Sequence, residues 1–327
     1  MRATYETLRR KVYFALLQAA GGPGRLHRSL LAKDSLVVLN LHRVTPERRR
    51  FLPALCPRLF EYLLSFLVTT AHVVTFADLG EPERLRDDRV PVILSFDDGY
   101  KDFIEYAMPL LDRYGVRANQ NVIPGCVLSG ASPWSVRLWS FLAAAPPSVL
   151  SRIRLPGLPA EPNGSPVALE TFGKALSAHL RSLPHDEREQ MWGELQPLMD
   201  TVDVEPMPMM SLSDVREAAA VHELGAHSFS HDTMGLETKE FLQEDLRSCD
   251  AFFRERLGMP VNIYAFPHGS HTPEHVEVLA ASGVDQILLV EEKVSNRHSV
   301  VHPRLSFGAV SRPEVRIRAL GWTRERA

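Results

Sequence analysis

Leu94-Ser95-Phe96-Asp97-Asp98-Gly99 sets two carboxylates side by side after an apolar run, and His227-Ser228-Phe229-Ser230-His231 begins 129 positions beyond Asp98. Neighbouring strand residues point to opposite faces, so both Asp turn inward only if the backbone bends at once, and Gly99 permits that bend. Two His four residues apart fit one helical turn, which would offer both imidazoles to one ion. A carboxylate with two imidazoles is a borderline-hard set suited to a divalent metal, zinc first, with cobalt or nickel as alternatives. Three protein ligands leave one coordination position for water, as in hydrolytic rather than structural sites. The second carboxylate is then available as a base, and the expectation is an enzyme.

The Ser-Phe-Asp-Asp-Gly stretch at 95–99 resembles the first motif of the polysaccharide deacetylases with NodB homology, carbohydrate esterase family 4, usually written T-F-D-D-G. His227 to His231 is similar to their second motif, H-[S/T]-x-x-H, and Tyr264-Ala265-Phe266-Pro267-His268-Gly269 resembles their proline-glycine loop. Order and approximate spacing agree over residues 35–310. The resemblance implies a distorted, incomplete (β/α) barrel with Asp98, His227 and His231 on the metal and Asp97 as general base. It also implies that the Pro267-His268 loop meets the substrate, the His268 amide facing the developing oxyanion. The implied reaction is hydrolysis of an N-acetyl group on a sugar carried by a polysaccharide, an oligosaccharide or a lipid-linked precursor. Two other readings stay open: a catalytically inactive glycan-binding relative, and an amide hydrolase of non-sugar substrates.

Two departures from the family pattern matter. Many relatives carry Arg where this chain has Ala265; Arg304, before a late apolar run, is the candidate to replace it or to reach the substrate. No match to the late Leu-x-x-His motif of the general acid stands out, yet a departing amine needs a proton. His42, in Leu41-His42-Arg43-Val44 after the first strand, is the first candidate, with His268, His271 and His302 competing. Its neighbour Arg43 is expected to pair with an acid. Trp134 and Trp139 are candidates to stack on a sugar ring, Trp139 preferred, against a reading in which they pack a local core.

Those residues need a scaffold, and short β-branched runs alternating with helical patterns supply one. Strands are expected at 35–41, 73–76, 90–96, 118–123, 261–266 and 284–290, with helices between them, which makes an α/β chain with a mostly parallel sheet. Regularity fails at 126–210, where eleven prolines break the pattern. That stretch reads as an insertion of loops and short helices over one face of a catalytic domain at 35–327.

Forty acidic against 37 basic residues give a net charge of −3 over 327 residues, a balance that implies no nucleic-acid partner. Cys56, Cys126 and Cys249 form no C-x-x-C pair, and the expectation is reduced thiols in a cytoplasmic protein. Residues 1–34 read as an N-terminal helical segment, amphipathic and too short to span a bilayer, leaving open peripheral contact with a membrane surface. Nothing in the sequence sets the oligomeric state.

Overall fold

A computed structural model describes residues 2–31, 33–86, 88–154 and 165–322. Among the described residues there are nine strands: β1 Ser35–Leu41, β2 His72–Val73, β3 Pro91–Phe96, β4 Asn119–Val122, β5 Glu223–Ala226, β6 Ile263–Ala265, β7 Gln286–Val290, β8 Ser295–Asn296 and β9 Val301–Ser306. Seven of them close into a parallel barrel in the order β1, β3, β4, β5, β6, β7, β9 and back to β1. The pair β2 and β8 are short additions, parallel to β3 and antiparallel to β1 respectively. The expected (β/α) barrel is therefore found, incomplete by one strand relative to an eightfold barrel and yet closed.

Alternation along the strands decides what each side chain meets. Leu36 and Val38 of β1, Ile93 of β3, Ile263 and Ala265 of β6 and Leu288 of β7 form one apolar cluster inside the barrel. Their neighbours Val37, Leu39, Val92, Leu94 and Phe96 face outward, onto Phe60, Leu63, Leu64 and Leu67 of the helix Pro57–Thr70. The same alternation carries Ser95 and then Asp97 to the inside, above Ile93. Because the strands are parallel, residues following β1, β3, β5 and β6 collect at one end of the barrel, the end where barrel enzymes build their sites.

Three local expectations are corrected. The strand expected at 73–76 stops at Val73, because Asp78 accepts from both the amide and the hydroxyl of Thr75 (2.8 and 2.7 Å) and draws the chain into a 3₁₀ turn. The span 126–210 is more regularly helical than its prolines suggest, with helices Trp134–Ala144, Pro166–Arg181 and His185–Met199. Proline stands at or just before the start of each, where no amide partner is needed, and only Pro197 lies inside one. These helices share a core of Trp134, Leu138, Phe141, Phe172, Leu176 and Trp192. Residues 155–164, with three of the eleven prolines, lie outside the described residues. The third correction, the conformation of the His pair, belongs to the site.

Candidate metal centre and its surroundings

Asp97 continues β3, its amide donating to the Leu41 carbonyl of β1 (3.0 Å), and the chain then turns sharply. Asp98 and Gly99 both take left-handed conformations, with φ of 76° and 77°. Gly99 does so without strain and Asp98 does so at a cost, which is how adjacent carboxylates come to face one site. On the neighbouring side, the His227 amide donates to the Val122 carbonyl (2.8 Å) and extends β5 in the same way.

Residues 228–232 are not helical, contrary to the one-turn expectation. Ser228 and His231 have φ of 57° and 61°. The cause is a competing set of partners: buried Asp245 accepts from the Phe229 amide (2.8 Å) and the Ser228 hydroxyl (2.9 Å), and Ser228 Oγ accepts from the Asp232 amide (3.1 Å). Tyr264 donates its hydroxyl to the other Asp245 oxygen (2.7 Å). Burial pushes the Asp245 carboxyl up to about 6 despite these donors. None of this was anticipated from the motif, since Asp245 lies on the next helix with nothing local to mark it.

The loop nonetheless converges on Asp98. Asp98 Oδ1 is 3.4 Å from His227 Nε2 and 3.4 Å from His231 Nε2. One ligand atom from each of the three buried residues lies within 4.8 Å of the others. A tetrahedral ion with ligand bonds of about 2.1 Å spaces its ligands about 3.4 Å apart, so these residues fit zinc or a similar divalent ion. Asp98 Oδ1 is buried without a hydrogen-bond partner, as expected of a ligand oxygen awaiting an ion. His227 Nδ1 donates to the Ala265 carbonyl (2.8 Å), which turns its Nε2 lone pair toward Asp98.

Asp97 is held by a different set. Arg304 donates to both its oxygens (2.8 Å each) and to Ser95 Oγ (3.0 Å), and Asn121 Nδ2 donates to Asp97 Oδ1 (2.7 Å). Gly225 makes room for Asn121: a side chain there would begin 2.1 Å from Asn121 Oδ1. Arg304 reaches from β9 and so takes the place of the arginine missing at Ala265. It is fully buried and spent on Asp97, Ser95 and the Leu289 carbonyl, so its assignment as a substrate contact is corrected. Burial alone would raise the Asp97 carboxyl, but the charges of Arg304 and then His227 outweigh it and hold Asp97 well below the usual carboxylate range.

The remaining candidates divide. His42 is exposed at the end of β1, close enough for its charge to act on both Asp97 and Asp98, while Arg43 is buried and donates to Asp102 (2.8 Å). His268 follows Pro267 with a left-handed φ of 57°, its ring edge-on to His231 at 4.7 Å and to Trp134 at 6.2 Å. His271 stacks on Phe266 and bonds the Gly269 carbonyl. His302 has both ring nitrogens engaged, by Ser295 and Gln286 (2.8 Å each), and burial pushes it down to about 4, so it is a structural residue. Trp139 is half-buried and packs on Phe51 (5.1 Å) and over Gly173. Trp134 is the tryptophan at the centre, donating Nε1–H toward the His231 carbonyl (3.4 Å). Its position is tied to the metal loop by Arg188, which lies over the Trp134 ring (5.4 Å) and pairs with buried Asp232 (2.7 Å).

Residues 210–287, which include His227, His231 and the Pro267-His268 loop, match the family model described as polysaccharide deacetylase. Over that stretch, about a quarter of the chain, the sequence is similar to the polysaccharide deacetylases. Solved structures agree in fold: the deacetylase PplD of Streptococcus pyogenes in complex with acetate is similar at 13% identity, 88% of this chain and 98% of that one, TM-score 0.58. IcaB from Ammonifex degensii is similar at 20% identity over 88% and 97% of the two chains, TM-score 0.57. A de-N-acetylase from Aggregatibacter actinomycetemcomitans follows at 14% identity over 83% and 94%, TM-score 0.52. No curated protein matches the sequence.

Proposed function

We propose that this deacetylase relative removes acetyl groups from an N-acetylated sugar, using a divalent ion, zinc by preference, held by Asp98, His227 and His231. The observation that carries the reading is the division of the adjacent carboxylates: Asp98 faces two imidazoles at ligand spacing, and both oxygens of Asp97 are held by Arg304. When bound, such an ion supplies the Lewis acidity that makes water a nucleophile near neutral pH. Asp97, fixed in direction by Arg304 and held low in pKa by it, would be the group to take a proton from the attacking water. The loop at Pro267-His268 borders the acetyl carbonyl, and His42, accessible at the rim, gives the departing amine its proton.

Trp134 provides an apolar wall for the sugar. A separate cleft of about 630 Å³ is lined by Arg137, Ser140, Asp200 and Met207. A binding module without catalysis has no need of the Asp97–Arg304 pair.

The test is acetate release from a series of N-acetylglucosamine oligomers by the chain reconstituted with zinc, cobalt or nickel, against the chelator-stripped form. Metal-dependent release is expected; its absence in every metal form rejects the reading. His42→Ala should lower the rate about a hundredfold. A near-neutral His42→Ala would instead leave His268 as the proton donor.

A further inference from the structure

The N-terminal helix Arg2–Ala19 is fixed in rotation by one face. Phe14 is buried against Trp322 (5.1 Å, edge-on), Tyr13 packs on the same indole (5.8 Å), and Arg10 donates to buried Glu314 (2.6 Å) and to the Gly308 carbonyl (3.1 Å). The opposite face therefore points away from the protein. On it lie Leu8, Val12 and Leu16, one turn apart and 59%, 50% and 66% exposed. Four of the eleven large apolar side chains exposed among the described residues belong to this helix, counting Tyr13, and the other seven are scattered over the rest of the chain. Scattered exposure is ordinary, whereas a stripe on a docked helix is not. At 100° per residue, Arg9 and Lys11 border the stripe on its two sides.

Charge is segregated in the same way. Residues 1–33 carry seven basic residues and one acidic, while the other 294 carry 30 basic and 39 acidic. The small overall charge conceals a cationic segment on an anionic body. A second copy of the chain is a poor cover for the stripe, because it would bring two such cationic segments together. A polyanion without an apolar layer leaves the leucines in water.

We propose that the helix Arg2–Ala19 lies in the interface of an anionic lipid bilayer, with Leu8, Val12 and Leu16 among the acyl chains and the flanking cations at the headgroups. No described helix is long and apolar enough to cross a membrane, so the attachment is peripheral. The inference is independent of the deacetylase reading, although a surface-bound enzyme is well placed for a membrane-associated glycan.

The test is co-sedimentation of the full chain with phosphatidylcholine vesicles, with and without phosphatidylglycerol. Partition into the anionic vesicles, weakened by salt, is expected, with about tenfold or greater loss in the triple variant Leu8→Ser, Val12→Ser, Leu16→Ser. That variant should release acetate from a soluble oligomer at the wild-type rate, so failure here leaves the catalytic reading standing. Absence of partition, or partition unchanged in the triple variant, overturns the proposal. So does a concentration-dependent dimer that the triple variant dissociates, which would show a second copy on the stripe.

Discussion

Asp97→Asn is expected to keep its metal and lose about 10² to 10⁴ of the deacetylation rate, the usual contribution of a general base. The amide cannot take a proton, whereas Asp98, His227 and His231 are untouched by the change. Stability should also fall, because the amide satisfies Arg304 at only one of its two oxygens and leaves a buried guanidinium partly unpaired. Rate must therefore be compared at a temperature where both proteins are folded, with metal content measured on the same samples. Turnover within a few-fold of wild type would mean that another group takes the proton.

Arg304→Met is the complementary experiment, and its largest effect is on the fold. Removing one partner of a buried pair costs about 3–5 kcal/mol, a fall in melting temperature on the order of 10 °C for a chain of this size. The folded Asp97 lies below the unfolded carboxylate value of about 3.9, so the pair's contribution is complete above about pH 4 and is lost as pH falls through the folded value. The difference in melting temperature between wild type and Arg304→Met should accordingly be largest near neutrality and shrink in acid. Without the guanidinium, burial prevails and raises Asp97, which moves the acidic limb of the pH–rate profile upward. A variant with unchanged stability and an unmoved acidic limb would show that Arg304 does not govern Asp97.

The sequence was informative where chemistry depends on residue type at short range. Asp97-Asp98-Gly99 announces its own bend, and the alternating strands place it at one end of a parallel barrel. Arg304 was legible as a candidate to replace the arginine missing at Ala265, but only through the family resemblance: its pairing with Asp97 joins β9 to the end of β3, some two hundred residues apart, and no local pattern encodes it. The His pair illustrates the opposite failure. A spacing of four suggested a helix, but Asp245 and Ser228 capture the backbone donors and make a left-handed loop instead. Trp134 and Trp139 are five residues apart on one helix, and only the packing of the neighbouring helices decides which of them meets the ligand loop.

The central claim, that Asp98, His227 and His231 together hold one catalytic ion, is tested most directly by zinc titration of chelator-stripped protein, with bound metal counted per chain. The account predicts one tightly held ion in wild type and Asp97→Asn, and affinity at least about a hundredfold weaker in His227→Ala, since loss of a ligand should exceed loss of an outer-shell partner. No stoichiometric binding in wild type, or an unchanged affinity in His227→Ala, would contradict it.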